Sequence, residues 1–303
     1  MKKYKVSEDK NARGVKQVSE STPESNIMFI GPPAAGKTTA MLLLLHTVVD
    51  YKEELGIRNL TPVVRTGGVN IFADASRLVR QGIPPAPTQV EAKDIKLELN
   101  IVFRGFPLGK RVSLIFADMA GRITETLLKV FPEIAAKTPN EVRDTLKTYG
   151  LSEEDVQYIV NKVFTSKGFI LVVNYTKIGT EEDPDVKFSS FMNNFITYRK
   201  ARMKGEKLKG VAVLVTHWDK AIVDAYRDRE SILKDALPIT SSFIKNDKLI
   251  ERSAVFLSGI YDEYETPTGE KRFHVTIDHE GRRRIRYTVN EYKELVMWIR
   301  DTF

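Results

Sequence analysis

The chain has 303 residues, 42% of them apolar, enough to bury a substantial core within one open α/β domain. It contains no cysteine, which excludes disulfides, thiolate metal sites and cysteine nucleophiles. A formal charge of +7 leaves acidic partners open, whereas the longest greasy stretch, Ala40 to Val49, has about half the length of a bilayer span. No apolar segment follows the charged Met1-Lys-Lys-Tyr-Lys start as it would in a secretory leader, so a cytoplasmic location is expected.

In chain order, residues 1–25 are charged and aperiodic, which predicts a mobile tail ahead of one domain over 26–303. Ile27-Met28-Phe29-Ile30 reads as a short buried strand and Thr39 to Asp50 as a helix. Between them, Gly31-Pro-Pro-Ala-Ala-Gly36-Lys37-Thr38 matches G-x-x-x-x-G-K-[ST] in the strand-loop-helix context that gives a P-loop its mechanical meaning. Gly31 and Gly36 permit backbone conformations that a side chain obstructs, so amides and the positive end of the helix converge on phosphate oxygens. Pro32 and Pro33 have no N–H, which leaves the amides from Ala34 onward, through Ala35, Gly36, Lys37, Thr38 and Thr39, as donors. The Lys37 side chain is expected at the β- and γ-phosphates and Thr38 on Mg²⁺.

The segment 56–87 is longer than a minimal P-loop domain needs and ends Gly82-Ile-Pro-Pro-Ala-Pro-Thr88. Thr88, just ahead of the next strand, is the expected Mg²⁺-binding switch threonine, with the glycine-flanked Thr66, or a switch without such a threonine, as competing readings. Residues 94–103 alternate and 111–117 follow after a glycine-bounded turn, predicting an antiparallel pair at the sheet edge. The second of these strands runs into Asp118-Met-Ala-Gly121, a D-x-x-G whose acid can hold Mg²⁺ and whose glycine N–H can reach a γ-phosphate. Longer segments also lie at 137–166 and 260–288.

Helices are predicted behind the Ser152-x-x-Asp155 capping box, along Phe188, Phe191, Met192 and Phe195, and along Tyr292, Leu295, Val296 and Ile299. Strands are predicted at 168–174, 211–216 and 253–258. The second leads into Thr216-His217-Trp218-Asp219, whose carboxylate can accept both donors of the guanine N1–H and N2–H₂ edge, a pair that adenine lacks. The third leads into Ser258-Gly259, where backbone groups can approach the O6 side of a base. The β-α alternation predicts a three-layer α/β fold: a mostly parallel six-stranded sheet with one antiparallel edge strand and helices on both faces. Phe273–Ile277 and Ile285–Tyr287 predict a hairpin with Arg282, Arg284 and Arg286 facing outward. This face and Arg199-Lys200, Arg202, Lys204, Lys207 and Lys209 read as a solvated basic surface, with nucleic acid or anionic membrane as less favoured readings.

On Gly31-x4-Gly36-Lys37-Thr38, Asp118-x-x-Gly121, Thr216-His-Trp-Asp219 and Ser258-Gly259, residues 26–303 resemble the Ras-like P-loop GTPases of the translation-factor-related class. The long segment ending at Thr88 is similar to that of the larger prokaryotic members found as double-GTPase or GTPase-associated systems. The resemblance implies Mg²⁺-dependent hydrolysis of GTP to GDP and phosphate, with Lys37, Thr88, Gly121 and Arg122 around the γ-phosphate and switch loops that engage a protein effector or regulator. Two positions depart from the family pattern. Thr216-His217 stands where Asn-Lys is usual, so cover of the base falls to His217 or Trp218; Arg122 stands where a water-orienting Gln is common, and its guanidinium either approaches the γ-phosphate or, the favoured reading, points to solvent or an effector. The missing Asn-Lys favours an ATPase as the alternative, and Arg122 favours a nucleotide-stabilised scaffold with negligible turnover.

Overall fold

Strands made of consecutive apolar residues require cover on both faces. In the computed structural model, which describes residues 25–64, 76–84, 96–105, 109–117, 122–135, 137–180, 183–203, 206–221, 228–279, 281 and 283–303, such strands form the centre of a seven-stranded sheet. Its strands are β1 (Ser25–Ile30), β2 (Ile57–Val64), β3 (Lys96–Phe103), β4 (Arg111–Ala117), β5 (Gly168–Asn174), β6 (Gly210–Thr216) and β7 (Ser253–Leu257), in the spatial order β2-β3-β4-β1-β5-β6-β7. All seven residues of β5 and all seven of β6 are buried.

Side chains still alternate within these apolar runs, so each strand feeds two cores. Ile27 and Phe29 of β1 join a cluster with α1 (Lys37–Asp50). Met28 and Ile30 join the opposite cluster, filled by α2 (Arg122–Ile134), α3 (Pro139–Thr148), α4 (Glu153–Tyr158), α5 (Asp185–Arg202), α6 (Arg229–Ala236) and α7 (Pro238–Asn246). The last helix, α8 (Val289–Thr302), packs beside α1 through Tyr292, Leu295, Val296 and Ile299. The three-layer α/β architecture follows. Among the described residues no helix is long and apolar enough to cross a membrane.

The sheet differs from the sequence expectation at its edge. It has seven strands rather than six, and the antiparallel strand β3 is not the edge: β2 pairs with it, Thr61 opposite Asn100 and Pro62 opposite Leu99. Arg58, Asn59 and Thr61 interrupt any apolar pattern and Pro62 removes a ladder donor, so this segment carries little strand signal of its own; an edge is the one sheet position that tolerates such a proline.

Helix termini obey local chemistry. The Ser152 hydroxyl accepts from the Asp155 amide at 3.1 Å and the Asp155 carboxylate accepts from the Ser152 amide at 3.3 Å, completing the expected capping box. The apolar stripe beyond it runs into a π-helical turn, Ile159–Val163. Past β7 the chain forms β8 (Glu263–Glu265) paired with β9 (Lys271–Phe273), then β10 (Val275–Ile277) paired with β11 (Arg283–Ile285). The second hairpin is the expected one, but Arg284 is not outward-facing. Its guanidinium lies 5.6 Å from the Tyr51 ring centre and donates to Asp278 at 2.7 Å, because the hairpin folds back on the end of α1.

Candidate functional site

Parallel strands deliver their C-terminal ends to one rim of a sheet, so the segments following β1, β5, β6 and β7 meet there. The loop after β1 is shaped by residues that take up positive φ, Ala34 at 58° and Gly36 at 80°. A Cβ on Gly31 would lie 2.6 Å from the Val172 carbonyl oxygen, so only glycine lets the loop pass β5 this closely. Gly36 precedes α1 with no side-chain cap, and the first turn of the helix carries no acid. The helix therefore presents its positive end to the rim. Lys37 Nζ donates to the Gly31 and Pro32 carbonyls at 2.7 and 2.9 Å, which holds the ammonium over the loop.

Two strand-end side chains hold the loop from below. Thr216 Oγ1 donates to the Ala35 carbonyl at 2.7 Å, with the Val173 carbonyl at 3.1 Å. Asn174 donates through Nδ2 to the Ala34 carbonyl at 3.2 Å, while its Oδ1 accepts from the Thr176 amide at 2.9 Å. Thr216 thus acts on the loop rather than pointing at a base. Asn174 escaped the sequence reading, although its place as last residue of a fully buried strand could have flagged it.

A cleft of about 170 Å³ runs from this loop to the ends of β6 and β7. Of the residues singled out in the sequence, Gly36, Thr39, Thr216, His217, Asp219, Ser258 and Gly259 line it, and Ala40, Pro84, Ile260, Glu263 and Phe273 complete the wall. Gly31, Ala34, Ala35, Lys37 and Thr38 belong to the loop and helix start at one end of the cleft. Thr66, Thr88, Asp118 and Gly121, with the side chain of Arg122, lie outside the described residues; β4 ends at Ala117 and α2 begins at Arg122.

At the far end Asp219 is half-buried, its Oδ1 accepting from the Ile260 amide at 3.4 Å and its Oδ2 lying 3.1 Å from Lys220 Nζ. Lys220 also donates to Glu263 at 3.0 Å, and these carboxylate bonds raise its pKa. Burial opposes ionisation of Glu263, but the hydrogen bond and charge of Lys220 outweigh it and hold the carboxyl below the usual range. His217 adopts a left-handed conformation at φ 57°. The residue is solvent-accessible as a whole, yet the enclosure of its ring lowers the imidazole pKa against the pull of Asp219 and Glu263. Trp218 stands edge-on to Tyr175 at 5.5 Å.

The loop after β7 is tied to α8. Ser258 Oγ and Tyr292 Oη share a hydrogen bond of 2.6 Å, and the Gly259 amide donates to Thr288 Oγ1 at 3.2 Å. Burial pushes the Tyr292 phenol pKa far up, keeping it neutral. The Ser258 hydroxyl therefore serves the framework, and the Trp218 amide donates to the Ser258 carbonyl at 3.0 Å, locking the two loops together.

Among the described residues there is no cluster of histidine and carboxylate groups able to hold a metal ion. Of the expected Mg²⁺ ligands only Thr38, second residue of α1, is described. The uncapped helix start and the adjacent Lys37 ammonium suit an anion, and a cation would enter together with its charge. No protein-family model and no curated protein sequence matches the chain.

Proposed function

We propose that the chain is a cytoplasmic, Mg²⁺-dependent GTP-binding and GTP-hydrolysing switch on a Ras-like P-loop fold. One observation carries this reading: a single cleft joins Gly36 and Thr39 at the loop-helix junction to Asp219 and Gly259 at neighbouring strand ends. A ligand spanning it meets anion donors at one end and a carboxylate at the other, which matches a triphosphate and a base edge with two N–H donors.

In this reading the amides from Ala34 to Thr39 and the Lys37 ammonium position the β- and γ-phosphates and stabilise charge that grows as the γ-phosphoryl group leaves for water. Bound Mg²⁺, held by Thr38 with Asp118 and Thr88 as the further expected ligands, would neutralise charge between those phosphates. Asp219 accepts from the guanine edge once its Lys220 contact yields. Thr216 and Asn174 keep the loop carbonyls of Ala35 and Ala34 turned inward, so that the amides face the ligand. The segments around Thr88 and Gly121 are the proposed switch loops, through which an effector or regulator reads the bound nucleotide.

Phosphate release from GTP and from ATP, each with Mg²⁺, tests the proposal. Turnover of GTP in preference to ATP is expected. Preference for ATP would replace the reading by an ATPase on the same fold, and tight binding without release from either would replace it by a nucleotide-stabilised scaffold.

A further inference from the structure

A second cavity, of about 320 Å³, lies between the end of α1, the helical residues 76–80 and the β10–β11 hairpin. It is separate from the first cleft but shares a wall with it, since Ile260 lines the one and Tyr261 the other. Its lining carries four guanidinium groups, Arg80, Arg283, Arg284 and Arg286, against a single carboxylate, Asp50. Asp50 is already engaged by Arg80 at 3.2 Å and Arg284 at 3.8 Å, so it offers little repulsion to an entering anion.

We propose that this cavity is a second binding site, for a small phosphate-bearing anion. Ion pairs with Asp50, Asp278 and Asp262 occupy part of the Arg80, Arg284 and Arg286 groups, but each guanidinium has five N–H donors and retains others. Arg283 makes no ion pair among the described residues. Counting Asp278 and Asp262, which pair from outside the lining, four cations still face three carboxylates. Guanidinium forks match phosphate oxygens in pairs, which makes arginine the natural residue for this anion. The concave, half-open shape, with a volume near the roughly 300 Å³ at which small-ligand sites begin, suits a small molecule rather than a flat acidic protein face. Tyr261 is 42% exposed at the wall and offers a ring to a planar group attached to the phosphate. His46, also in the lining, is held at about 4 by burial and by the Arg80 charge, and so adds no charge at neutral pH.

The proposal does not rest on the nucleotide reading, and the test keeps the two apart. Calorimetric titration of full-length Lys37→Ala protein with inorganic pyrophosphate, without Mg²⁺, measures binding with the loop lysine removed. Binding is expected to persist and to weaken tenfold or more when Arg80→Ala, or the exposed pair Arg283→Ala and Arg286→Ala, is added. Arg58→Ala, an exposed arginine on β2, should leave it unchanged. The exposed pair keeps the test valid if Arg80→Ala disturbs folding. Adenosine 5′-monophosphate in a parallel titration separates the sources of the phosphate: tighter binding lost in Tyr261→Ala marks a nucleotide, and equal binding marks the phosphate group alone. No pyrophosphate binding to Lys37→Ala protein, undiminished binding in the folded arginine variants, or binding of a poly-glutamate peptide alone would overturn the proposal.

Discussion

The interior of the sheet and its antiparallel edge are built on different chemistry. Every residue of β5 and β6 is buried, and Phe169 of β5 packs edge-on against Phe191 and Phe195 at ring distances of 5.4 and 4.7 Å. The edge strand β2 exposes Arg58, Asn59, Thr61 and Pro62, and the segment 76–84 is fastened by polar contacts: Arg80 to Asp50, Ser76 to His46, and the Gly82 carbonyl to the Phe273 amide. The rigid, apolar interior carries the cleft at its strand ends. The edge, beside the apolar anchors Ile57 and Val79, is also held by charges and a titratable ring, so it should respond to pH and to single charge changes more than the interior does.

The largest expected effect breaks the interior. Phe169→Ala should cost about 3–5 kcal/mol of stability, since it removes a fully buried ring from a packed aromatic cluster. Arg58→Ala on the edge should stay within about 0.5 kcal/mol. Urea unfolding of both variants measures the contrast, and similar losses would erase it.

A smaller effect sharpens the edge side. Burial and the Arg80 charge hold His46 at about 4, below its ordinary 6.5. Between those values the unfolded chain binds a proton that the folded protein refuses, so stability present above pH 6.5 is lost as pH falls toward 4. From pH 7.5 to pH 5 the loss should be about 2 kcal/mol. His46→Gln, which keeps a partner for the Ser76 hydroxyl, should flatten this part of the profile; an unchanged slope in denaturant midpoints would move its source elsewhere.

Legibility in the sequence follows the same division. The runs at 168–174 and 211–216 announce themselves because burial on both faces leaves no polar position ahead of their last residues, Asn174 and Thr216, and the Ser152-Asp155 box fixes a helix start by local bonds alone. Strand β2 is invisible because its pairing partner, not its own composition, makes it a strand: Pro62 and three polar residues erase the pattern. The π-helical turn at Ile159–Val163 is equally hidden, since the apolar spacing continues through it. At the site, Gly36, Asp219 and Gly259 are legible as strand-end motifs. The tethering roles of Thr216, Asn174 and Thr288 are not, because each depends on a carbonyl or amide that only the folded chain brings within reach.

A further stability loss, smaller than those of Phe169 and His46, lies where interior and site meet. Thr216→Val keeps the shape of a buried side chain but leaves the Ala35 carbonyl without its donor, at a cost of about 1 kcal/mol. Nucleotide affinity should fall along with stability, because the loop is then free to turn its carbonyls outward. A variant destabilised yet undiminished in affinity would separate the tether from the site.

The central claim is guanine recognition at the far end of the cleft, and competition of GTP and ATP against a fluorescent guanine nucleotide tests it most directly. Wild-type protein should prefer GTP, and Asp219→Ala should lose about 1–3 kcal/mol of GTP binding with ATP binding almost unchanged. A wild-type preference for ATP, or a folded Asp219→Ala protein with full GTP affinity, would contradict it.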